Sequence, residues 1–204
     1  MKIKLSEIPT YLLTVKEYAA RLEAFKQHVG SRFSYTTFFG EYRPDRERGF
    51  SISLLKLFNV VPIPVLILED DCCFTDHYRN EIEVPDDADA IYLGTSSWGV
   101  KNGISKRNNL ILHPHNKDYY RISYMTSTHA ILYLGEAYLS HLRKIGKSYR
   151  EDGEPTSFDV MIALEQEKFR VYGAAKPFFY QNTPGNAIVT LYSLDDVYSD
   201  HLGL

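Results

Sequence analysis

The chain has 204 residues, of which 44% are hydrophobic and 24% charged, with a formal net charge of −3. This length suits one α/β domain with a sizeable core, and the slight acidic excess argues against a dedicated nucleic-acid-binding protein, which usually shows a basic face. No apolar stretch approaches the roughly 20 residues that span a bilayer, and no signal peptide is evident. The two cysteines, Cys72 and Cys73, are adjacent and form no disulfide framework, so a reducing, cytoplasmic setting is the simplest interpretation.

The first half of the chain alternates between predicted strands and helices. Residues 10–14 predict a strand, residues 15–29 an amphipathic helix, residues 33–39 a second strand and residues 50–58 a second helix. The apolar run 64–68 then predicts a buried strand. This order of strand, helix, strand, helix and strand predicts a largely parallel sheet with right-handed crossovers.

The second half is predicted to add strands and two longer helices. A buried strand over residues 90–93 leads into a loop of small residues with Trp98, which is either a ligand-facing segment or a plain turn. The other predicted strands cover residues 109–113, 119–125, 127–134 and 169–172. The predicted helices cover residues 75–81, 137–145, where Gly146 ends the helix, and 158–168.

Three consecutive carboxylates, Glu69, Asp70 and Asp71, follow the buried strand directly. Adjacent negative charges repel one another and lose hydration where they are partly buried, so a bound divalent cation is the least costly arrangement. Side chains alternate along an extended chain, which places Glu69 and Asp71 on one face and Asp70 on the other. Because ligands bind beyond the carboxyl ends of strands in open α/β sheets, the triple is a candidate site. The alternative is a polar strand end that opens into a solvated loop.

Several stretches of the chain resemble the GT-A class of nucleotide-sugar glycosyltransferases. The closest resemblance is to the lipopolysaccharide-type enzymes of family twenty-five and to small glycosyltransferases of large algal viruses. The most specific stretch is 66–71, Leu-Ile-Leu-Glu-Asp-Asp, which is similar to the acidic motif of that family and to the DxD motif of other GT-A enzymes. Looser similarities lie in the following stretches: residues 11–16 with Arg21, the helix around Ser53, residues 128–139 and residues 158–160. Leu54 follows Ser53 where the family has a histidine, so the resemblance leaves the donor open.

The resemblance implies a GT-A, Rossmann-like single domain over residues 1–204, with a mostly parallel central sheet flanked by helices. Residues 1–100 would form the nucleotide-sugar-binding half and residues 101–204 the acceptor-binding half. Because the chain is short for the family, it is either one part of a longer protein or a minimal viral enzyme in the host cytoplasm. The implied activity is an inverting transfer of a hexose from a nucleotide-diphosphate sugar, with UDP-glucose or a similar donor favoured, to a glycan or glycoprotein acceptor.

The resemblance also implies roles for the acidic residues. Asp71 is expected to bind Mn²⁺ or Mg²⁺ with Glu69 in support, since hard cations of this kind take oxygen ligands. Asp70 is expected to face the ribose or sugar hydroxyls of the donor. His201 is the expected remote metal ligand, and His129 is the alternative.

The nucleoside of the donor is expected over the end of the first strand, and the following residues are assigned to it: Leu13, Thr14, Val15, Arg43 and Lys56. Arg43 and Lys56 are equally well explained as solvated surface charges. The expected general base is Asp159, in the first turn of a predicted helix where a carboxylate stays ionised, with Glu154 as the second choice. Two other functions stay open, namely a non-catalytic nucleotide-sugar-binding module and a metal-dependent nuclease or phosphoryl-transfer enzyme; the net charge of −3 counts against the nuclease.

Overall fold

A computed structural model describes residues 1–97, 110–152 and 157–183, together with residues 187, 190, 191 and 193–196; of residues 149–152 it describes the backbone alone. The strands are β1 (Lys2–Lys4), β2 (Thr10–Thr14), β3 (Tyr35–Phe39), β4 (Val65–Glu69), β5 (Cys72–Phe74), β6 (Glu81–Glu83), β7 (Ala90–Tyr92), β8 (Leu110–Pro114), β9 (Tyr119–Met125), β10 (Ala130–Tyr133), β11 (Val171–Ala174) and β12 (Phe179–Gln181). The α-helices are α1 (Ala19–His28), α2 (Arg46–Phe58), α3 (Glu136–Asp152) and α4 (Phe158–Glu165). In the described ranges, no helix combines the length and the apolar character that a membrane span requires.

Eight strands form one sheet in the order β3-β2-β4-β10-β7-β11-β9-β8. Strands β2, β3 and β4 are parallel to one another, with α1 and α2 as their connections, as the sequence order predicts. The α/β class and a large sheet flanked by helices are therefore confirmed. The prediction of a mostly parallel sheet describes these first strands but not the whole, because four of the seven strand contacts in the described sheet are antiparallel.

The antiparallel contacts arise where β9 and β10 enter the sheet. Strands β8 and β9 are joined by a short turn, and such a connection can join antiparallel strands, whereas parallel neighbours require a longer crossover. Strand β10 lies between β4 and β7 and runs opposite to both. The beginning of β10 therefore lies at the same edge of the sheet as the ends of β4 and β7.

Strand β4 is buried on both faces. Val65 and Ile67 belong to a core shared with α2, α3 and α4, whereas Leu66 and Leu68 belong to the core on the other face, beside α1. A strand covered on both faces reads as a continuous apolar run rather than as an alternating pattern. This burial fixes the position of β4 and brings the acidic residues that follow it to the carboxyl edge of the sheet.

Two helices have different ends from those predicted. Helix α2 begins at Arg46, four residues early, because the Asp45 side chain accepts a hydrogen bond from the Arg48 amide at 3.0 Å and caps the helix. Helix α3 continues through Gly146, which was expected to end it. A Cβ at Gly146 would lie 1.7 Å from Leu55 Cδ2, so this glycine allows α3 to approach α2 closely and does not act as a helix end.

The short helix predicted over residues 75–81 is wrong. Thr75 does not cap a helix; its amide donates to the Phe178 carbonyl at 3.0 Å, and its hydroxyl donates to the Pro177 carbonyl. The preceding strand β5 pairs antiparallel with β12, with Gln181 opposite Cys72. This pairing returns the C-terminal segment to the acidic end of β4.

Candidate functional site

The two aspartates after β4 share one cation from helix α1. Arg21 Nη2 lies 2.6 Å from Asp70 Oδ1 and 2.9 Å from Asp71 Oδ2. The Arg21 guanidinium also lies over the ring of Tyr18, 4.9 Å from its centroid. The two aspartates are 5% and 8% exposed, and burying such charges is costly unless they are paired. One guanidinium cannot balance three carboxylates, so the end of β4 keeps an excess of negative charge.

Asp70 is bound to the neighbouring strand. The Thr14 hydroxyl, at the end of β2, donates a hydrogen bond to Asp70 Oδ2. Burial raises the pKa of Asp70, although the Thr14 hydroxyl and Arg21 both favour its charged form. The contact joins the end of β4 to the end of β2, where the nucleoside was expected.

Glu69 and Asp71 face one amide nitrogen. Gln181 Nε2, on β12, lies 3.4 Å from Glu69 Oε2 and 3.3 Å from Asp71 Oδ2. The Thr128 hydroxyl donates to Glu69 Oε1 at 2.8 Å, and the Thr183 hydroxyl donates to Asp71 Oδ2 at 3.3 Å. The alternation of side chains predicted that Glu69 and Asp71 share a face, and their common contact with Gln181 agrees with that prediction.

The charge state of Glu69 reflects this crowding. Burial raises the pKa of Glu69 to about 8, and the negative charge of Asp71 adds to the effect. A carboxyl group whose pKa is raised in this way is stabilised in its charged form when a further positive charge comes close. Glu69 therefore lies at a place where a bound cation would be favourable.

The acidic residues fit a hard divalent cation whose coordination is completed by the ligand. Among the described residues, no group of three or more His, Cys, Asp or Glu side chains is arranged to hold a metal ion. Mg²⁺, however, is often held by one or two carboxylates together with waters and substrate phosphates. Glu69 and Asp71 are the residues that would hold such an ion, because both present oxygen atoms toward Gln181 Nε2.

A cavity of about 440 Å³, here called the main cavity, opens beside Glu69. Six serine and threonine side chains lie in its wall with three carboxylates and one guanidinium, so the wall suits a polar ligand. It is lined by Arg46, Glu47, Phe50, Ser51, Glu69, Ser96, Thr126, Ser127, Thr128, Ser157, Asp159, Val160 and Gln181.

A second cavity of about 70 Å³, here called the small cavity, lies at the end of β2. It is lined by Leu13, Thr14, Val15, Tyr18, Glu41, Tyr42, Arg43, Arg46, Phe50 and Ser53. Arg46 and Phe50 line both cavities, so the two spaces meet at the first turns of α2. Their junction forms one extended binding region from the end of β2 to the end of β4.

The structure divides the predicted site residues into groups. The small cavity is lined by Leu13, Thr14, Val15 and Arg43, and the main cavity by Glu69 and Asp159. Three predicted residues line neither cavity: Lys56, Asp70 and Asp71. Glu154 and His201 lie outside the described residues, as does Trp98. Lys56 is paired with Glu41, which also binds Arg43 at 2.6 Å.

Asp159 lies in the first turn of α4, after the N-cap residue Ser157. The Ser157 hydroxyl and the Val160 amide both donate to Asp159 Oδ1. Within the described part of the chain, Oδ2 receives no such donor. A carboxylate with one anchored oxygen and one open oxygen is suited to accept a proton from a ligand in the main cavity.

His129 is fully buried at the start of β10. Ser127 Oγ lies 2.6 Å from His129 Nδ1, and a Cβ at Gly94 would lie 2.1 Å from His129 Nε2. Burial lowers the pKa of His129 to about 4, so the ring is neutral at physiological pH. This placement argues against a metal ligand for the main cavity. His129 instead holds Ser127 through this contact, and the Ser127 backbone is left-handed, with φ of 90°.

Gln181, Thr128 and Ser127 were not predicted as site residues from the sequence, and Arg21 was named only as part of the resemblance. Arg21 lies on a helix and Gln181 on a late strand, and both reach the end of β4 through tertiary contacts. The sequence held one signal for Arg21: three adjacent carboxylates without a neighbouring cation indicate that a basic side chain from elsewhere in the chain pairs with them.

No protein-family model matches the chain, and no curated protein matches it. Among solved structures, A197 from STIV is 12% identical over 85% of this chain and 84% of that chain, with a TM-score of 0.45. CTP:phosphocholine cytidylyltransferase from Streptococcus pneumoniae is 11% identical over 96% and 98%, with a TM-score of 0.44. The nucleoside-diphosphate-sugar pyrophosphorylase from Vibrio cholerae is 12% identical over 98% and 82%, with a TM-score of 0.45. Likenesses at this level carry no argument about function, and the resemblance to family twenty-five stays a hypothesis.

Proposed function

We propose that this protein is a metal-dependent glycosyltransferase that moves a hexose from a nucleotide-diphosphate sugar to a glycan or glycoprotein acceptor. The observation that carries the proposal is one extended binding region with three chemically distinct parts. The small cavity lies at the end of β2, Glu69 brings the acidic strand end to the main cavity, and Asp159 lines that same cavity. A nucleotide sugar has three matching parts, a nucleoside, a diphosphate and a sugar.

The nucleoside occupies the small cavity, between the residues that end β2 and the rings of Tyr18 and Tyr42. These two rings meet edge to face with centroids 6.2 Å apart, and aromatic walls of this kind suit a planar base. The hexose extends into the main cavity, where hydroxyl side chains can both donate and accept hydrogen bonds. UDP-glucose or a similar donor is proposed from the family resemblance of the acidic motif.

Glu69 and Asp71 hold Mn²⁺ or Mg²⁺ in this proposal, and Arg21 holds Asp71 in position at 2.9 Å. When bound, the ion supplies positive charge to the diphosphate leaving group as the glycosidic bond breaks. Burial, and after it the negative charge of Asp71, raises the pKa of Glu69 to about 8, so a cation held there would favour the charged form of Glu69. Asp70 stays with Thr14 and Arg21 and joins the end of β4 to the end of β2, beside the nucleoside.

Asp159 acts as the general base for a single displacement with inversion. The acceptor hydroxyl attacks the anomeric carbon, its proton moves to Asp159 Oδ2, and the bond from that carbon to the phosphate oxygen breaks to release the nucleoside diphosphate. The Ser157 hydroxyl and the Val160 amide hold Asp159 Oδ1, which keeps the carboxylate oriented.

A non-catalytic nucleotide-sugar-binding module is the second candidate. The observation that favours it is the Arg21 guanidinium, which already binds Asp70 and Asp71. A binding module would use the same cavities but would hold the acidic strand end together without a metal ion. It would therefore bind a nucleotide sugar equally well with and without Mn²⁺.

Thermal-shift measurements with UDP-, GDP- and CMP-sugars, with and without Mn²⁺, separate these functions. Stabilisation that needs both the sugar nucleotide and Mn²⁺, with slow donor hydrolysis, is the result that we expect for the transferase. Stabilisation without metal and without hydrolysis identifies the binding module. Turnover of a nucleoside triphosphate with a sugar 1-phosphate, and none of a nucleotide sugar, identifies a phosphoryl-transfer enzyme.

Replacement of the general base, Asp159, gives a separate test. Asp159→Asn keeps the size of the side chain but cannot accept the proton, so transfer should fall by about 10²- to 10⁴-fold while donor affinity stays the same. Glu167→Gln, an exposed position just after α4, is the matched control and should transfer normally. Normal transfer by Asp159→Asn would show that another group acts as the base.

A further inference from the structure

Arg46 occupies the junction between the two cavities. It is the first residue of α2, and its side chain lines both the small cavity and the main cavity. Phe50 lies one helical turn further on and lines both spaces as well, so these two side chains share one face of the helix. A ligand that extends from one cavity to the other must pass Arg46.

The charge of Arg46 has no partner in the described part of the chain. Arg21, Arg43 and Arg143 each bind a carboxylate at 2.6–2.7 Å, whereas no acidic side chain pairs with Arg46. The first turn of a helix is also an unfavourable place for a cation, because the helix dipole is positive there. Arg46 and Arg48 are both exposed, but only Arg46 lines the two cavities, so its charge is available to an anionic group of a ligand that lies there.

We propose that Arg46 binds the diphosphate of a nucleotide ligand at the junction of the two cavities. The inference rests on the proposed function, which puts the nucleoside in the small cavity and the sugar in the main cavity. The two phosphates connect those groups and must therefore lie at the junction. The planar guanidinium presents paired N–H donors that match the oxygen atoms of a phosphate.

Arg46 also complements the acidic strand end. Glu69 borders the main cavity on one side and Arg46 on another. Glu69 and Asp71 would hold a metal ion that neutralises part of the diphosphate charge, and Arg46 would neutralise a further part from the α2 side. Arg46 is therefore a binding and positioning residue for the leaving group, separate from the metal ligands.

Calorimetric titration of Arg46→Gln against Arg48→Gln tests the inference. Arg48 lies two residues further along α2, is exposed and lines neither cavity, so its replacement removes the same charge without touching the junction. The probes are UDP, GDP and CDP in the presence of Mn²⁺, followed by the nucleoside of whichever diphosphate binds. Thermal unfolding of each variant checks that the fold is intact.

We expect Arg46→Gln to weaken the binding of the nucleoside diphosphate by about 10- to 100-fold, the usual range for a lost hydrogen bond to a charged group. The affinity for the nucleoside should stay unchanged, and Arg48→Gln should bind as the wild type does. Arg46→Lys should recover part of the loss, since it keeps the charge without the planar fork.

Any one of three results would overturn this inference and leave the proposed function standing. These are wild-type diphosphate affinity in Arg46→Gln, an equal loss in Arg46→Gln and Arg48→Gln, or an equal loss for diphosphate and nucleoside. If the wild-type protein binds none of the three diphosphates, the proposed function and this inference both fail.

Discussion

Arg21 is the residue on which the charge balance at the end of β4 depends most. It contacts both buried aspartates through one nitrogen atom, Nη2. Removing one partner of a buried ion pair leaves an uncompensated charge, which costs more than the pair itself contributes. The stability of the protein should therefore be sensitive to Arg21 whether or not the protein is an enzyme.

Arg21→Gln should lower the free energy of unfolding by about 1–3 kcal/mol, because Asp70 and Asp71 lose their cation; the loss is smaller than for a fully buried pair, since the Arg21 side chain is 35% exposed. Chemical denaturation of the metal-free protein measures this loss. Lys26→Gln is the matched control on the same helix; Lys26 is exposed and pairs with Glu23 at 3.6 Å, so its loss should cost less than about 1 kcal/mol. Adding Asp71→Asn to Arg21→Gln should restore part of the stability. Equal losses for Arg21→Gln and Lys26→Gln would contradict this account.

Glu69 should make the metal-free protein less stable as the pH rises. The pKa of Glu69 is about 8 in the folded state, against an ordinary value of 4.5 in the unfolded chain, so the folded protein binds its proton more tightly. The contribution of this proton to the free energy of unfolding is fully present below about pH 4.5 and is lost as the pH rises through about 8, with a slope of at most about 1.4 kcal/mol per pH unit.

Glu69→Gln removes this titration, so its advantage in stability over the wild type should grow from about pH 5 to about pH 8. Urea denaturation in the presence of a chelator, at several pH values in that range, measures the difference. A difference that stays constant across the range would show that Glu69 does not titrate in this way.

At the scale of elements, the contact between α2 and α3 depends on Gly146. Alanine would improve the intrinsic helix propensity by about 1 kcal/mol. Its Cβ, however, would lie 1.7 Å from Leu55 Cδ2 in the buried interface. Overpacking of this kind costs about 1–3 kcal/mol, so the steric term should exceed the gain in propensity.

Gly146→Ala should therefore lower the melting temperature, although it places a better helix former in α3. Lys147→Ala, the exposed next residue on the same helix, is the control and should leave stability nearly unchanged. In a Leu55→Ala background the penalty of Gly146→Ala should shrink, since the clashing methyl group is gone. A stabilising Gly146→Ala would mean that α3 does not approach α2 this closely.

The elements that the sequence predicts well are those whose signal is local. Strands β2, β3 and β4 and the helices between them follow from apolar spacing within each segment, and so does the position of the acidic triple at a strand end. The errors fall where tertiary contacts decide. Gly146 was predicted to end a helix, but it allows α3 to pack closely against α2. Thr75 was predicted to cap a helix, but its hydroxyl donates to the backbone just before β12.

The candidate site was predictable to the same extent. Glu69 and Asp71 were expected to share a face because side chains alternate along an extended chain, and the ends of parallel strands were expected to border a ligand because of the general rule for open α/β sheets. Gln181 and Arg21 could not be placed, since β12 and α1 meet the end of β4 only in the folded chain. The junction at Arg46 depends on where α2 begins, which the Asp45 cap moves beyond the predicted boundary.

At the scale of the whole molecule, the mixed sheet explains where the main cavity lies. Because β10 runs opposite to β4 and β7, its beginning and their ends meet at one edge of the sheet. Glu69 at the end of β4, Ser96 after β7 and Thr128 before β10 therefore line one space. Both halves of the chain contribute side chains to this cavity.

A calorimetric titration of UDP-glucose into wild-type protein and into Asp71→Asn, each with and without Mn²⁺, tests whether the acidic end of β4 binds the donor through a metal ion. Other sugar nucleotides follow if the thermal-shift screen favours them. We expect Mn²⁺ to strengthen donor binding to the wild type, and Asp71→Asn to lose most of this gain and the donor hydrolysis that accompanies it. Full metal-dependent binding and hydrolysis by a folded Asp71→Asn protein would show that the acidic end of β4 is not the metal site.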